Sequence, residues 1–278
     1  MNLNWFESIL YGLFSGLTDI LPVSAQAHKT LMLKIFGRSG SMELLNLLVH
    51  LAVAAALYSA CRSALVRMNR ARKLSLVPKS KRKRPLDVRS LMDLSMVRTM
   101  LVPVVLGLLF FRKADAMKSN LILLALFLFL NGLALYIPQY LPGGNRDSRT
   151  LSRVEGLLMG LGGAVSVVPG ISAVGCVTSI GSVCGVEATY CLDLALTANL
   201  FVNLGLIVHD VLAIGSAGLG TLSVLILLRY LLCAAAAFGG ATLAIRLMRR
   251  LAANRGYALF GFYCFGLALF IFILNLIA

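Results

Sequence analysis

Asp19 and His28 lie within Gly12 to Leu33, a stretch that is otherwise mostly apolar and small, with Thr18 and Ser24 beside them. Far along the chain Ser172 follows Pro169 and Gly170 in a second such stretch, Gly156 to Val186. Ionisable groups at membrane depth are costly, so each is a functional candidate by default. A carboxylate, an imidazole and hydroxyls converging on two helix breaks would suit an anion, because helix N-termini expose unpaired N–H groups and a favourable dipole. Phosphate is the natural ligand for such a set.

The elements that must position these groups are set by composition. The 278 residues are 59% apolar and 13% charged, with a mean hydropathy of +0.88. Soluble domains are nearer half apolar and a quarter charged, so the chain belongs in a bilayer. Leu44 to Ala60 and Leu121 to Ile137 each have the length and composition of a membrane helix, as do Leu194 to Ile214, Arg229 to Ile245 and Tyr257 to Ile277. Met96 to Phe111 is a weaker span, interrupted by Arg98 and Pro103. The expectation is an all-α polytopic membrane protein of about six spans.

The two stretches with the candidate residues are broken by Pro, Gly and Ser (LPVSAQAH and VPGISAVG). A continuous helix tolerates this poorly, and non-helical backbone at membrane depth survives only where protein or a wet cavity surrounds it. Both therefore read as re-entrant helix pairs. A matching pair in two halves is the pattern of an inverted repeat, here approximately residues 1–138 and 150–278 of one integral membrane domain. The site is expected where the two tips meet.

Charge sets the topology. Lys and Arg number 26 against 11 Asp and Glu, for a net charge of +15. The positive charges sit between apolar runs, and no basic patch interleaves with aromatics, which argues against nucleic acid. Arg62 to Arg89 has eleven basic residues and one acid, Asp87, and is expected to be a cytoplasmic loop. Arg146, Arg149 and Arg153, with the cluster Arg246, Arg249, Arg250 and Arg255, belong on the same side, and the uncharged turn Ser216 to Gly220 on the other. None of the six cysteines forms a CxxC pair, so neither disulfides nor a metal cluster is indicated. The N-terminus lacks a basic leader and is expected to remain in the mature protein. Taken singly, His50, His209, Asp210, Glu187 and Asp193 read as helix-packing polar groups, Arg229 as a snorkelling interfacial residue, and Gly160 to Gly163 as a site of close helix approach.

The residues from Ser15 to His28, Ser-Gly-Leu-Thr-Asp-Ile-Leu-Pro-Val-Ser-Ala-Gln-Ala-His, resemble the E-G-x-T-E-x-L-P-x-S-S-x-x-H motif of the bacitracin-resistance family of undecaprenyl-diphosphate phosphatases. Pro169 to Gly175 is similar to the second motif, P-G-x-S-R-S-G. His50-Leu51-Ala52 resembles an H-L-G core between them, and Val102 to Phe110 resembles I-P-x-x-x-G-L-L-F. The resemblance covers nearly the whole chain.

It implies six spans plus two re-entrant pairs in interlocked inverted repeats, in a multi-pass protein of a bacterial cell membrane. It implies hydrolysis of undecaprenyl diphosphate to the monophosphate lipid carrier of wall synthesis, at a site opening to the outer face, with a divalent cation, Mg or Ca, when catalytic. Carried over, Asp19 would hold that cation or act as base, His28 or Ser172 would be the nucleophile or its activator, and Thr18 and Ser24 would donate hydrogen bonds to phosphate oxygens. Ser15, Gly170 and Gly175 complete the substrate-binding set. Four positions depart from the family pattern: Ser15 and Asp19 for its glutamates, Ala25 for a serine and Ala173 for an arginine. Losing such groups costs powers of ten in phosphoryl transfer, which points to reduced or lost turnover. Two functions stay open at this stage: a phosphatase, or a non-catalytic transporter, flippase or sensor of the lipid phosphate. The oligomeric state, a homodimer included, is also left open.

Overall fold

A computed structural model describes residues 3–38, 42–217, 223–253 and 257–277. The described residues are helical, with no named strand. In chain order the helices are α1 (Trp5–Ile20), α2 (Ala25–Ile35), α3 (Glu43–Ser75), α4 (Val88–Leu108), α5 (Phe111–Asp115) and α6 (Leu121–Tyr136), followed by α7 (Arg153–Val165), α8 (Ala173–Val183), α9 (Ala188–Ala217), α10 (Val224–Ala253) and α11 (Ala258–Ile277). Six of them, α3, α4, α6, α9, α10 and α11, are long and apolar enough to cross a membrane, α6 with the short turn that extends it to Tyr140. Large apolar side chains such as Phe6, Leu109, Leu212 and Leu259 remain exposed, as a lipid-facing surface requires.

The spans coincide with the expected ones but run further. At ~1.5 Å per residue α3 is about 50 Å long and overshoots the hydrocarbon core. The basic segment expected as a loop from Arg62 therefore begins as helix up to Ser75, because Arg, Lys and Leu are good helix formers and no Gly or Pro intervenes before Pro78. Pro103 sits inside a continuous α4. The Asp87 carboxylate caps that helix, accepting from the Ser90 N–H at 3.0 Å and the Ser90 hydroxyl at 2.6 Å. Those two donors hold it below the usual carboxylate range.

Each half begins with a broken hairpin. α1 starts at a capping box, Asn4 with Glu7, and α7 at another, Ser152 with Glu155. An arginine clamps each glutamate: Arg38 lies 3.1 Å from Glu7, and Arg146 Nη2 lies 3.0 Å from Glu155. The halves then interlock. α1 packs on α10 of the second half and α7 on α4 of the first, while α6 packs on α11 and α3 on α9. Small residues permit the crossed contacts, since a Cβ on Gly16 would overlap the Ala237 carbonyl and one on Gly160 the Met100 carbonyl. The Gly160 to Gly163 run thus serves close packing.

One end of the bundle gathers the basic segments. Ser148 donates to Asp93 at 2.5 Å, Arg89 lies 3.9 Å from Asp147, and Arg249 lies 3.6 Å from Asp193. These contacts join the start of α4 to the loop before α7 and the end of α10 to the start of α9. Arg255 and residues 218–220 of the expected outer turn lie outside the described residues.

Candidate functional site

Both hairpins break where the composition says they must. α1 ends at Leu21-Pro22 and α2 restarts at Ala25; α7 ends at Val165 and α8 restarts at Ala173. The two tips touch. The Gly170 N–H donates to Ser24 Oγ at 3.1 Å, and a Cβ added at Gly175 would lie 3.1 Å from the Pro22 side chain. Asn131, buried in the middle of α6, spans both breaks: its Nδ2 donates to the Pro22 carbonyl at 2.9 Å and its Oδ1 accepts from the Ser172 N–H at 2.9 Å. One amide thus satisfies two backbone groups that the breaks leave without helical partners.

Beside this junction is a small cavity of about 40 Å³, lined by Asp19, Ser172, Thr18, Ala25, Ala173 and the amides Asn199 and Asn203, among others. Asp19 Oδ1 accepts from Asn199 Nδ2 at 2.9 Å and from Asn203 Nδ2 at 3.0 Å, which leaves Oδ2 without a protein partner. The two asparagines stand one helical turn apart on α9, so they present their amides on one face. Ser172 caps α8, its Oγ accepting from the Gly175 N–H at 3.2 Å. Its hydroxyl proton is not committed in that bond, and the first turn of α8 directs its dipole toward the cavity.

The expected trio does not assemble whole. Asp19 and Ser172 line the same cavity, whereas His28 is turned away. The His28 Nδ1–H donates to the Ser24 carbonyl at 2.8 Å, and Nε2 lies within hydrogen-bond distance of the Tyr263 hydroxyl at 2.7 Å, so the ring faces α11. The reason is helical register: His28 lies one turn beyond Ser24, so its ring folds back onto the break instead of across it. Thr18 lines the cavity but donates to the Phe14 carbonyl at 2.7 Å. Ser24, Gly170 and Gly175 spend their polar groups on the junction itself. Ser15 is buried in α1 with its hydroxyl unpartnered.

A protein-built cation site is not present among the described residues, since no group of three His, Cys, Asp or Glu assembles. Asp19 Oδ2 alone fits a cation that a phosphate ligand also holds, the usual arrangement for Mg.

A second, larger cavity of about 110 Å³ adjoins the first, and Gln26 and Leu206 line both. Here Lys29 Nζ donates to His50 Nε2 at 3.0 Å, and the His50 Nδ1–H donates to Asp210 Oδ2 at 2.7 Å. Reasoning on His50 and Asp210 singly misses this chain. The available signal was Lys29, a third ionisable residue in the first broken segment.

A family model described as "Bacitracin resistance protein BacA" matches residues 8–270. An undecaprenyl-diphosphatase of Methanobrevibacter smithii is 27% identical over 272 residues, 96% of both chains. Another, of Thermosipho melanesiensis, is 27% identical over 268 residues, 96% of this chain and 98% of its own. Undecaprenyl-diphosphatase 1 of Shouchella clausii is 25% identical over 274 residues, 96% of this chain and 95% of its own.

Proposed function

Because the chain belongs to the bacitracin resistance protein BacA family, we propose that it binds undecaprenyl diphosphate by its headgroup between the two broken hairpins and hydrolyses it, slowly, to the monophosphate. Water adds to the phosphorus that lies between Asp19 and Ser172, the bridging P–O bond breaks, and inorganic phosphate leaves beside the lipid monophosphate. The observation that carries this reading is the meeting of Asp19, Ser172 and the α8 N-terminus in one cavity at the tip junction.

Asp19 Oδ2 is the base toward the attacking oxygen, with Asn199 and Asn203 fixing the carboxylate through Oδ1. The Ser172 hydroxyl and the α8 N-terminus stabilise phosphate oxygens. His28 is a positioning residue, holding the Ser24 carbonyl while Ser24 sits at φ 65. A divalent cation, Mg or Ca, would be held by Asp19 when that carboxylate does not act as base, and would supply positive charge to the phosphate. Turnover is slow because methyl groups, Ala25 and Ala173, line the wall where the family motifs have a hydroxyl and a guanidinium. The protein works as a multi-pass protein of a bacterial cell membrane.

Phosphate release from undecaprenyl diphosphate by the purified protein in nanodiscs, with Mg, Ca or EDTA, tests this. Release above an Asp19→Ala control is expected, and a rise of at least tenfold when Ser15→Glu, Ala25→Ser and Ala173→Arg are combined. Binding of the lipid without release by either protein would overturn hydrolysis in favour of a non-catalytic lipid-phosphate carrier or sensor. Absence of binding would overturn the site.

A further inference from the structure

The cavity between Asp19 and Ser172 is small and offers a diphosphate no cationic side chain. At about 40 Å³ it has room for roughly three waters. Its lining contains a carboxylate and no Lys, Arg or His. A diphosphate brought there would meet Asp19 with no cationic side chain to offset it. The adjoining cavity differs in size and in holding ammonium groups, Lys29 and Lys118, alongside three carboxylates, Glu43, Asp115 and Asp210. It is larger, at about 110 Å³, and Lys29 lines it.

Lys29 is held ready for an anion. His50 accepts one of its three N–H donors, and Asp210 fixes the His50 ring through Nδ1. The ring is thereby an acceptor toward Lys29, so the ammonium is oriented while two donors stay unassigned. The other charges of the cavity come from every element around it. Asp115 is engaged by Lys118 at 2.6 Å, His209 stands 3.7 Å from Asp210, and Glu43 lies at the start of α3. The wall between the cavities carries Gln26, whose side-chain N–H group can donate to a phosphate oxygen on either side.

Building on the function proposed above, we propose that the Lys29 cavity is a phosphoryl-oxyanion subsite: Lys29, positioned by His50 and Asp210, binds the terminal phosphate of a diphosphate whose inner phosphate lies between Asp19 and Ser172, and Gln26 bridges the two. The same oxyanion chemistry would retain free phosphate after cleavage.

The test uses the full chain in nanodiscs without added divalent cation, with farnesyl diphosphate, farnesyl monophosphate and inorganic phosphate as probes. Binding is measured by calorimetry. Acylation of Lys29 by acetic anhydride is followed by mass spectrometry against Lys34, which is exposed. Farnesyl diphosphate should slow Lys29 acylation at least fivefold while Lys34 reacts unchanged, and the monophosphate should not. Slowing by inorganic phosphate alone supports the subsite with free phosphate as occupant. Lys29→Met should weaken diphosphate binding about 10- to 100-fold and leave the monophosphate within threefold, with Lys29→Arg restoring most of the difference. Diphosphate that binds while Lys29 acylates at its free rate would overturn the subsite and leave the proposed function standing. Equal protection by the monophosphate would also overturn it. Binding of none of the three probes would instead overturn the proposed function. The acylation arm needs no variant to fold.

Discussion

The two hairpins begin alike and break differently. The second break caps its own helix: Gly170 takes φ 103, and Ser172 caps α8 with its own hydroxyl, while the Gly170 and Ser172 N–H groups donate outward to Ser24 and Asn131. The first does not. Ser24 stands at φ 65 without the freedom of glycine, and its side chain makes no cap for α2 but reaches across to the Gly170 N–H. Its neighbours also come from elsewhere, Asn131 to the Pro22 carbonyl and His28 to its own. Yet Asp19, Gln26 and Lys29 all lie on the first hairpin. The chemistry thus rests on the hairpin that cannot hold its own shape, and the self-capped one braces it.

Breaking the brace should have the largest effect. Asn131→Leu leaves the Ser172 N–H buried without a partner and the Pro22 carbonyl with only the weak Cys264 thiol at 3.8 Å, and each such loss costs about 1–3 kcal/mol. Thermal unfolding in detergent should show a loss of roughly 2–6 kcal/mol, and phosphate release should vanish. Asn131→Asp, which keeps the acceptor for Ser172 and loses the donor for Pro22, should fall between. An Asn131→Leu protein with unchanged melting would mean that the first hairpin stands alone after all.

Gly170→Ala comes next. It asks an L-residue to hold φ 103 and places a Cβ 2.8 Å from that of Phe127 and 2.9 Å from the Leu128 backbone nitrogen. Backbone strain and overpacking together predict a loss of about 2–4 kcal/mol, read from the same melts. Gly175→Ala, with normal φ and a nearest approach of 3.1 Å, should cost less. Equal losses would remove the special status given to the Gly170 turn.

At Ser24 the comparison can be sharpened with two substitutions. Ser24→Gly relieves the left-handed backbone but loses the bond from Gly170, whereas Ser24→Ala keeps the strain and loses the bond. The alanine protein should be less stable than the glycine protein by about 1 kcal/mol. The reverse order would show that Ser24 is not strained where it sits.

Much of this was legible in the chain and some was not, for physical reasons. Apolar run length gives the six spans, and Pro beside Gly and Ser gives both breaks, because these follow from local composition. Asp19 and Ser172 come to one cavity for the same reason, each standing next to its own break. His28 does not, since its ring folds back onto the Ser24 carbonyl and toward the Tyr263 hydroxyl on α11, a partner that local composition does not reveal. Asn131, Asn199 and Asn203 were missed, although an asparagine inside LFLFLNGLAL has no local partner and two asparagines four residues apart share a face. What such a residue binds is fixed by the helix opposite. The chain from Lys29 through His50 to Asp210 joins three helices and has no local signature at all.

The smallest effect is expected where the hairpins are most alike, at their entries. Arg146 beside Glu155, with the Ser152 N–H, lowers the glutamate pKa from its ordinary 4.5 to about 2. A carboxyl depressed on folding adds stability that is fully present above its unfolded pKa and is lost as pH falls through the folded one. The melting difference between wild type and Glu155→Gln should therefore be constant above about pH 4.5, narrow below it and close near pH 2. Because the pair is partly exposed, with side-chain exposures of 34% and 21%, screening keeps it small. A fall of about 1–2 °C in Tm is expected at neutral pH, shrinking further in high salt. Glu7→Gln, at the matching Arg38 clamp, should lower Tm at neutral pH by a similar amount. A much larger loss at Glu7 than at Glu155 would carry the asymmetry of the two breaks back to the starts of the hairpins.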